Sequence, residues 1–164
     1  MQSPSKNKHK GLIVAGMHSS GGKTAVTSLL LAALQKRKFI VQPFKIGPDY
    51  IDPGFHFHYS AKNSINLDPW IMGREHILKA AKKFTENAFG IAEGVMGLFD
   101  GSDPTNDSGS TMEVARRLSW PILLVVTCKN SGRSITAAIQ GFVSEAGGPE
   151  HFAGIILNQV NSES

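Results

Sequence analysis

Cysteine is nearly missing from this chain. Cys128 is the only one in 164 residues, which rules out a disulfide within the chain and suits a reducing compartment, the cytoplasm. No apolar run approaches the ~20 residues that a membrane span needs, so a membrane is not expected as a partner. No segment repeats, and none is of low complexity. Neither charge sign dominates: 17 Lys and Arg face 13 Asp and Glu, a net charge of +4. Lys36, Lys38, Lys79, Lys82 and Lys83 fall on expected helices without interleaved aromatics. They read as solvated faces, with an anionic substrate as the alternative and no nucleic-acid partner. Residues 1–10 are polar and basic and read as a flexible tail. The apolar segment behind them is too short for a secretory signal. Residues 11–164 suffice for one domain with a real core.

What the chain does have is a glycine-rich turn, Gly16-Met17-His18-Ser19-Ser20-Gly21-Gly22-Lys23-Thr24. It follows the apolar run Leu12-Ile13-Val14-Ala15 and precedes a helical pattern. Strand, glycine-rich turn and helix N-terminus together make a phosphate-binding loop. Backbone N–H groups would converge on phosphate oxygens, Lys23 would bring a mobile charge, and the Thr24 hydroxyl could ligate Mg²⁺. In the common pattern four residues separate the first glycine from the Gly-Lys pair. Met17 stands at that first position and Gly16 precedes it, so this loop is one residue longer.

Apolar runs alternate with helical patterns. Strands are expected at residues 11–16, 39–44, 89–93, 121–126 and 153–157. Helices are expected at 24–37, 75–86, 110–119 and 133–145. The first helix should turn Val26, Leu29, Leu30, Ala33 and Leu34 inward, and the second Ile77, Leu78, Ala81 and Phe84. The alternation predicts an α/β fold with a doubly wound, mostly parallel sheet. Residues 46–74, rich in Gly, Pro, Asp and Asn, and residues 94–109 read as long loops. Loops of such length usually serve function. Both leave strands at the carboxyl end of the sheet, where ligands bind in such folds.

Three groups should face that crevice. Lys45 ends the second strand, with Asp49 and Asp52 just behind it. Glu93 ends the third strand, a usual place to hold Mg²⁺ in phosphate-loop enzymes. Turn chemistry of the Pro48-Asp49 and Asp52-Pro53 pairs is the competing reading for the two aspartates. His56 and His58 lie on one side of a segment read as extended, and loop packing explains them better than a metal. The stretch Gly109-Ser110-Thr111 opens a helix and either caps it or presents hydroxyls and N–H groups to an anion, and Arg133 is a candidate partner for a substrate carboxylate. Cys128 lacks the flanking glycines of a nucleophile elbow and reads as a small strand-end residue.

The run from Phe44 to His56, the run Asn66-Leu67-Asp68-Pro69-Trp70, the run Glu93-Gly94-Val95-Met96-Gly97-Leu98-Phe99-Asp100-Gly101 and the closing Gly154-Ile155-Ile156-Leu157-Asn158 resemble the cobyrinic acid a,c-diamide synthases. The wider relatives are the dethiobiotin synthetases, which share the long phosphate loop. The resemblance spans residues 11–160 and implies a P-loop NTPase-type fold. It also implies ATP-dependent amidation of tetrapyrrole acetate groups in corrinoid synthesis. Another tetrapyrrole, nickel-sirohydrochlorin or hydrogenobyrinate, is the alternative substrate. A partition or switch ATPase of related fold is the alternative from another class.

By the resemblance, ATP is held by Gly16, Ser19, Gly21, Gly22, Lys23, Thr24 and Asn158. Mg²⁺ is associated with Thr24, Asp49 and Glu93. Lys23, Lys45, Asp52 and Asp100 carry catalysis or substrate handling. The family's longer proteins add a glutamine-hydrolysing domain, for which these 164 residues offer no candidate nucleophile. Ammonia would therefore come from a missing or separate glutaminase domain, and the synthetase portion itself looks truncated. A homodimer is compatible with the family.

Overall fold

The structure is a computed structural model, and it describes residues 10–49 and 51–160. Most of the expected basic tail, Tyr50 of the 44–56 motif and residues 161–164 lie outside the described residues.

Six strands form one sheet: β1 (Gly11–Gly16), β2 (Val41–Lys45), β3 (Ile65–Asn66), β4 (Phe89–Glu93), β5 (Ile122–Thr127) and β6 (Phe152–Asn158). Their order is β3-β2-β4-β1-β5-β6, and every pairing is parallel. Six helices connect them: α1 (Lys23–Lys36), α2 (Asp52–Ser60), α3 (Pro69–Met72), α4 (Arg74–Phe84), α5 (Thr111–Leu118) and α6 (Ile135–Glu145). This is the doubly wound α/β fold that the alternation predicts.

Strand residues alternate between the two faces. Val14, Ile91 and Val125 pack with Leu31 of α1 on one side, where Tyr59 of α2 also lies. Ile13, Ala15 and Phe44 join Ile77 and Ala81 of α4 and Met112 and Ala115 of α5 on the other. Both faces are covered, which is why β5 is apolar from Ile122 to Val126. Each fully buried Leu or Ile in these clusters contributes ~1.5–3 kcal/mol.

Three expectations change. Residues 46–74 are not one long loop, since they hold α2, β3 and α3. Asp52-Pro53, which reads as a turn, opens α2, whereas Asp49 stands ahead of that helix and keeps the turn chemistry expected of it. The Asp49 carboxylate accepts from the Ile51 and Asp52 N–H groups at 2.9 and 3.3 Å. Asp68 does the same for Trp70 and Ile71 at 2.8 and 3.3 Å, with Pro69 in the first helical turn.

The inward face expected of α1 holds in part, since Val26, Leu30 and Leu34 pack against the core. Thr27, Ser28 and Leu31 are buried, whereas Leu29 is 70% exposed and Ala33 is exposed too. This helix packs on β1, β4 and α2 at once, so its apolar residues do not all turn one way. In α4 the i, i+4 pair Ile77 and Ala81 is buried, while Leu78 and Phe84 stay partly exposed.

Candidate functional site

The strand ends build the site. Parallel register places Glu93 beside Val14 in β1 and beside Lys45 in β2. The phosphate loop leaves β1 next to these two. Gly22 caps α1 with φ 97°, a left-handed conformation that favours glycine. Any side chain there would also strike the Asn158 amide. That amide donates to the Gly21 carbonyl at 3.0 Å, so the end of β6 braces the loop. A cleft of about 340 Å³ follows, lined by Ser19, Gly22, Lys23, Thr24, Lys45, Asp49, Asp52 and Glu93 among others. Gly16 and Gly21 form the loop backbone beneath it.

Lys23 donates to the carbonyls of His18 at 3.1 Å and Met96 at 2.6 Å. Met96 sits at φ 51° in the loop that follows β4. That loop is tied down by the Leu98 N–H on the Gly16 carbonyl at 2.8 Å. Asp100 closes the same loop by accepting from the Gly97 N–H at 2.8 Å. Gly94 lies so close to Thr111 that a side chain there would collide with it.

Lys45 is almost fully buried and holds three carboxylates: Asp52 at 2.5 Å, Asp49 at 3.1 Å and Glu93 at 3.4 Å. It also donates to the Gly94 carbonyl at 3.3 Å. The Thr24 hydroxyl donates to Glu93 Oε1 at 2.7 Å and meets Asp52 Oδ1 at 3.3 Å. Thr24, Glu93 and Asp52 thus share one junction, which Asp49 joins through Lys45. One oxygen of Asp49 accepts from the N–H groups of Ile51 and Asp52, the turn chemistry expected of it, and the other pairs with Lys45.

The remaining oxygen of Glu93 meets a residue that the sequence reading assigned to packing. His56 Nε2 lies 2.7 Å from Glu93 Oε2, and both side chains are fully buried. On the other side of the ring, Nδ1 lies 3.1 Å from Ser64 Oγ. A carboxylate only accepts, so Nε2 carries the proton toward Glu93. His56 and His58 therefore do not lie on one side of an extended segment. They sit on α2, where His58 is exposed. With 52–60 read as a helix, His56 falls one turn beyond Asp52 on the same face, and its contact would have been foreseen.

The charges shift one another. Burial pulls Lys45 down, but Glu93, Asp52 and Asp49 outweigh it and raise its pKa. Lys23 is lowered by burial and by the positive charge of Lys45. Burial would raise Glu93, yet hydrogen bonds from His56 and Thr24 and the charge of Lys45 hold it below the usual range. Asp52 is raised by burial, with Asp49 and Glu93 beside it opposing the pull of Lys45. Burial would also raise Asp49, but Asp52, the Ile51 N–H and Lys45 overcome it, and its carboxyl lies well below the usual range.

A Mg²⁺ ion fits this donor set. The ion takes hard oxygen ligands and is usually bound by one or two carboxylates together with substrate phosphates. The Thr24 hydroxyl and the Glu93 and Asp52 carboxylates converge at the cleft floor. Among the described residues no group of three or more His, Cys, Asp or Glu forms a metal cage.

Other expectations resolve simply. Ser110 caps α5, its side chain accepting from the Glu113 N–H at 3.2 Å. Arg133 is exposed ahead of α6, and the five lysines read as solvated are exposed. Cys128 is buried past the end of β5, and its N–H donates to the Asn158 carbonyl at 2.7 Å. No helix among the described residues is long and apolar enough to cross a membrane.

The pattern of the CobQ/CobB/MinD/ParA nucleotide binding domain matches residues 12–164. The chain belongs to this family. Among characterised relatives, the cobyrinate a,c-diamide synthase of Syntrophotalea carbinolica is 43% identical over 152 residues, covering 92% of this chain and 33% of that protein. The hydrogenobyrinate a,c-diamide synthase of Rhodobacter capsulatus is 44% identical over 155 residues, covering 93% of this chain and 35% of that protein. The chain thus spans about a third of the length of these relatives. A solved structure of a DUF1611 family protein from Anabaena variabilis shares the fold. It superposes with a TM-score of 0.59 at 17% identity, over 96% of this chain and 48% of that one. As a member of that family, this chain carries a nucleotide-binding domain.

Proposed function

We propose that this chain is the ATP-binding synthetase portion of an amidoligase acting on the acetate carboxylates, a and c, of a cobyrinate-type tetrapyrrole in corrinoid synthesis. The observation that carries the reading is the Lys45 cluster. A second buried cation, beyond the phosphate-loop lysine, stands among acidic side chains beside the phosphate site. Phosphoryl transfer to a carboxylate brings two anions together, and cations must lie between them. The relatives' names supply the substrate class. Hydrogenobyrinate is the second reading, since relatives of that name match equally well.

In the proposed reaction a substrate carboxylate oxygen attacks the γ-phosphorus of ATP, the bond to the β-phosphate oxygen breaks, and ADP leaves. Ammonia then attacks the acyl carbon, loses a proton and expels inorganic phosphate, leaving an amide. Backbone N–H groups of the Gly16–Thr24 loop, Ser19 included, would hold the ATP phosphates, with Lys23 leaving its carbonyl partners to meet them. Lys45 would steady the incoming carboxylate, while Asp52 and Asp100 handle the substrate side. Asn158, which donates to the Gly21 carbonyl, would contact the base of the nucleotide. Thr24 and Glu93, with Asp52 or Asp49, would hold Mg²⁺. When bound, the ion would neutralise charge on the phosphates.

Ammonia would arrive from solution or from a separate glutamine-hydrolysing domain, and ATP supply sets the work in the cytoplasm. The direct test incubates the chain with ATP, Mg²⁺, cobyrinic acid and isotope-labelled ammonia, then follows the acid by mass spectrometry. Labelled amide formed only with ATP supports the reading. ATP binding without amide formation from either cobyrinic or hydrogenobyrinic acid counts against it and leaves a switch-type ATPase.

A further inference from the structure

A second cleft, of about 700 Å³, opens beside the phosphate site and has no role so far. Its size falls in the range of small-molecule pockets. Val95 and Met96 line both clefts, so one stretch of the loop after β4 forms the wall between them. Apolar side chains dominate the near surface. Trp70 is 85% exposed, Ile71 63% and Met96 53%, and all three line the cleft together with Pro48 and Pro69. Large apolar groups left open in a concave place mark a binding surface. Trp70 is also held firmly for an exposed residue, because Asp68 anchors its N–H in the first turn of α3.

The polar groups around the cleft are mostly engaged. Asp68 caps α3, Asp100 accepts from Gly97, and Asp103 accepts from Thr105 and Asn106. Glu113 accepts from the Gly109 N–H at 2.7 Å and pairs with Arg74 and Arg117, each at 2.9 Å. The cation lining the cleft is Arg74. It uses Nε for Glu113 and one terminal nitrogen for Ser108 at 3.0 Å. A guanidinium carries five N–H donors, so donors remain for a carboxylate.

We propose that this cleft is the acceptor subsite. It takes a flat, largely apolar ring against Trp70 and Met96 and one of its acid arms at Arg74. Another arm passes the Val95–Met96 wall to reach the phosphates at Lys23. The proposal rests on the amidoligase reading, which requires an acid next to the terminal phosphate. A ligand apolar in its body and acidic at its rim satisfies both surfaces. A nucleotide alone would leave the Trp70 surface bare.

Cobyrinic acid is the probe, titrated into the full chain with and without ATP and followed by calorimetry and tryptophan fluorescence. Trp120 is buried, so quenching reports on Trp70. Trp70→Ala should weaken cobyrinic acid binding about tenfold or more, as removal of an exposed aromatic anchor does, and Arg74→Gln severalfold. ATP affinity should stay within about twofold in both, because neither side chain lines the phosphate cleft. Binding of cobyrinic acid that is equal in wild type and both variants overturns the proposal. So does a wild-type chain that binds ATP but not cobyrinic acid, and so does self-association through Trp70 that the acid does not reverse. A chain that binds cobyrinic acid through Trp70 but cannot bind ATP would support the cleft and strike the amidoligase reading instead.

Discussion

The imidazole of His56 points its Nε2 at Glu93 Oε2 from 2.7 Å, with both groups sealed from solvent. This contact assigns the two oxygens of Glu93 to different partners. One is held by histidine. The other is left for the Thr24 hydroxyl and Lys45. A buried carboxylate costs several kcal/mol unless it is paired and hydrogen-bonded, so His56 is part of what allows Glu93 to stay ionised at the cleft floor.

Replacing His56 by Leu should therefore leave half of a buried carboxylate without a donor. The expected loss is ~1–3 kcal/mol of folding stability, read from urea denaturation. His56→Gln keeps a side-chain N–H donor and should recover part of it. Mg²⁺-dependent ATP binding should weaken in the leucine variant and return in the glutamine variant. Equal stability and equal Mg²⁺ dependence in all three proteins would show that the contact does not orient Glu93.

Lys23→Ala should cut ATP affinity. Charge-assisted hydrogen bonds to phosphate are stronger than neutral ones, and losing ~2 kcal/mol corresponds to roughly thirtyfold. The Lys23 ammonium now rests on two carbonyls, which water can satisfy in the variant, so folding should change little. Calorimetry with Mg²⁺-ATP on the folded variant is the measurement. Unaltered affinity would remove the Gly16–Thr24 turn from the nucleotide site.

Glu113 links α4 to α5, and its response to acid can be worked out. Burial raises it, but the Gly109 N–H and the two arginines prevail and its pKa is lowered. A lowered carboxylate contributes stability that is present above its unfolded pKa, near 4.3, and is lost as pH falls through the folded value. At pH 7, Glu113→Gln should cost about 1–2 kcal/mol. The gap between wild type and variant should close progressively below about pH 4. Thermal melts across pH 3–7 check it, and a gap independent of pH would mean that the ion pairs contribute nothing.

Cys128 should do no chemistry on glutamine. Such chemistry needs a thiolate activated by a nearby base. This sulfur is buried, and its contact with the Val126 carbonyl, at 3.9 Å, is a weak one. The purified chain should release no glutamate from glutamine, and Cys128→Ser should bind ATP as wild type does. Glutamate release that disappears in the serine variant would reverse the assignment.

Five of the six strands and the glycine-rich turn after the first were legible in the one-dimensional pattern, because each depends on local signals. Apolar runs of strand length, a glycine-rich turn and a helix with period 3.6 each report on their own few residues. The same holds for Lys45 and Glu93 as strand-end residues, and the family resemblance identified the motif around them. Residues 46–74 were harder. Their helices are short, and Asp-Pro begins a turn and a helix alike until the capping bonds are seen. On α1 the periodicity turned Val26, Leu30 and Leu34 inward correctly and misplaced Leu29 and Ala33, because the helix meets β1, β2, β4 and α2 together.

The sequence alone determined which side chains stand at the ends of the strands. Only the tertiary structure decided how they are shared. That Lys45 gathers three carboxylates, that His56 takes one oxygen of Glu93 and that Asn158 braces Gly21 from 137 residues away all follow from sheet register and helix docking. Those depend on packing between segments distant in the chain, and no local pattern encodes it.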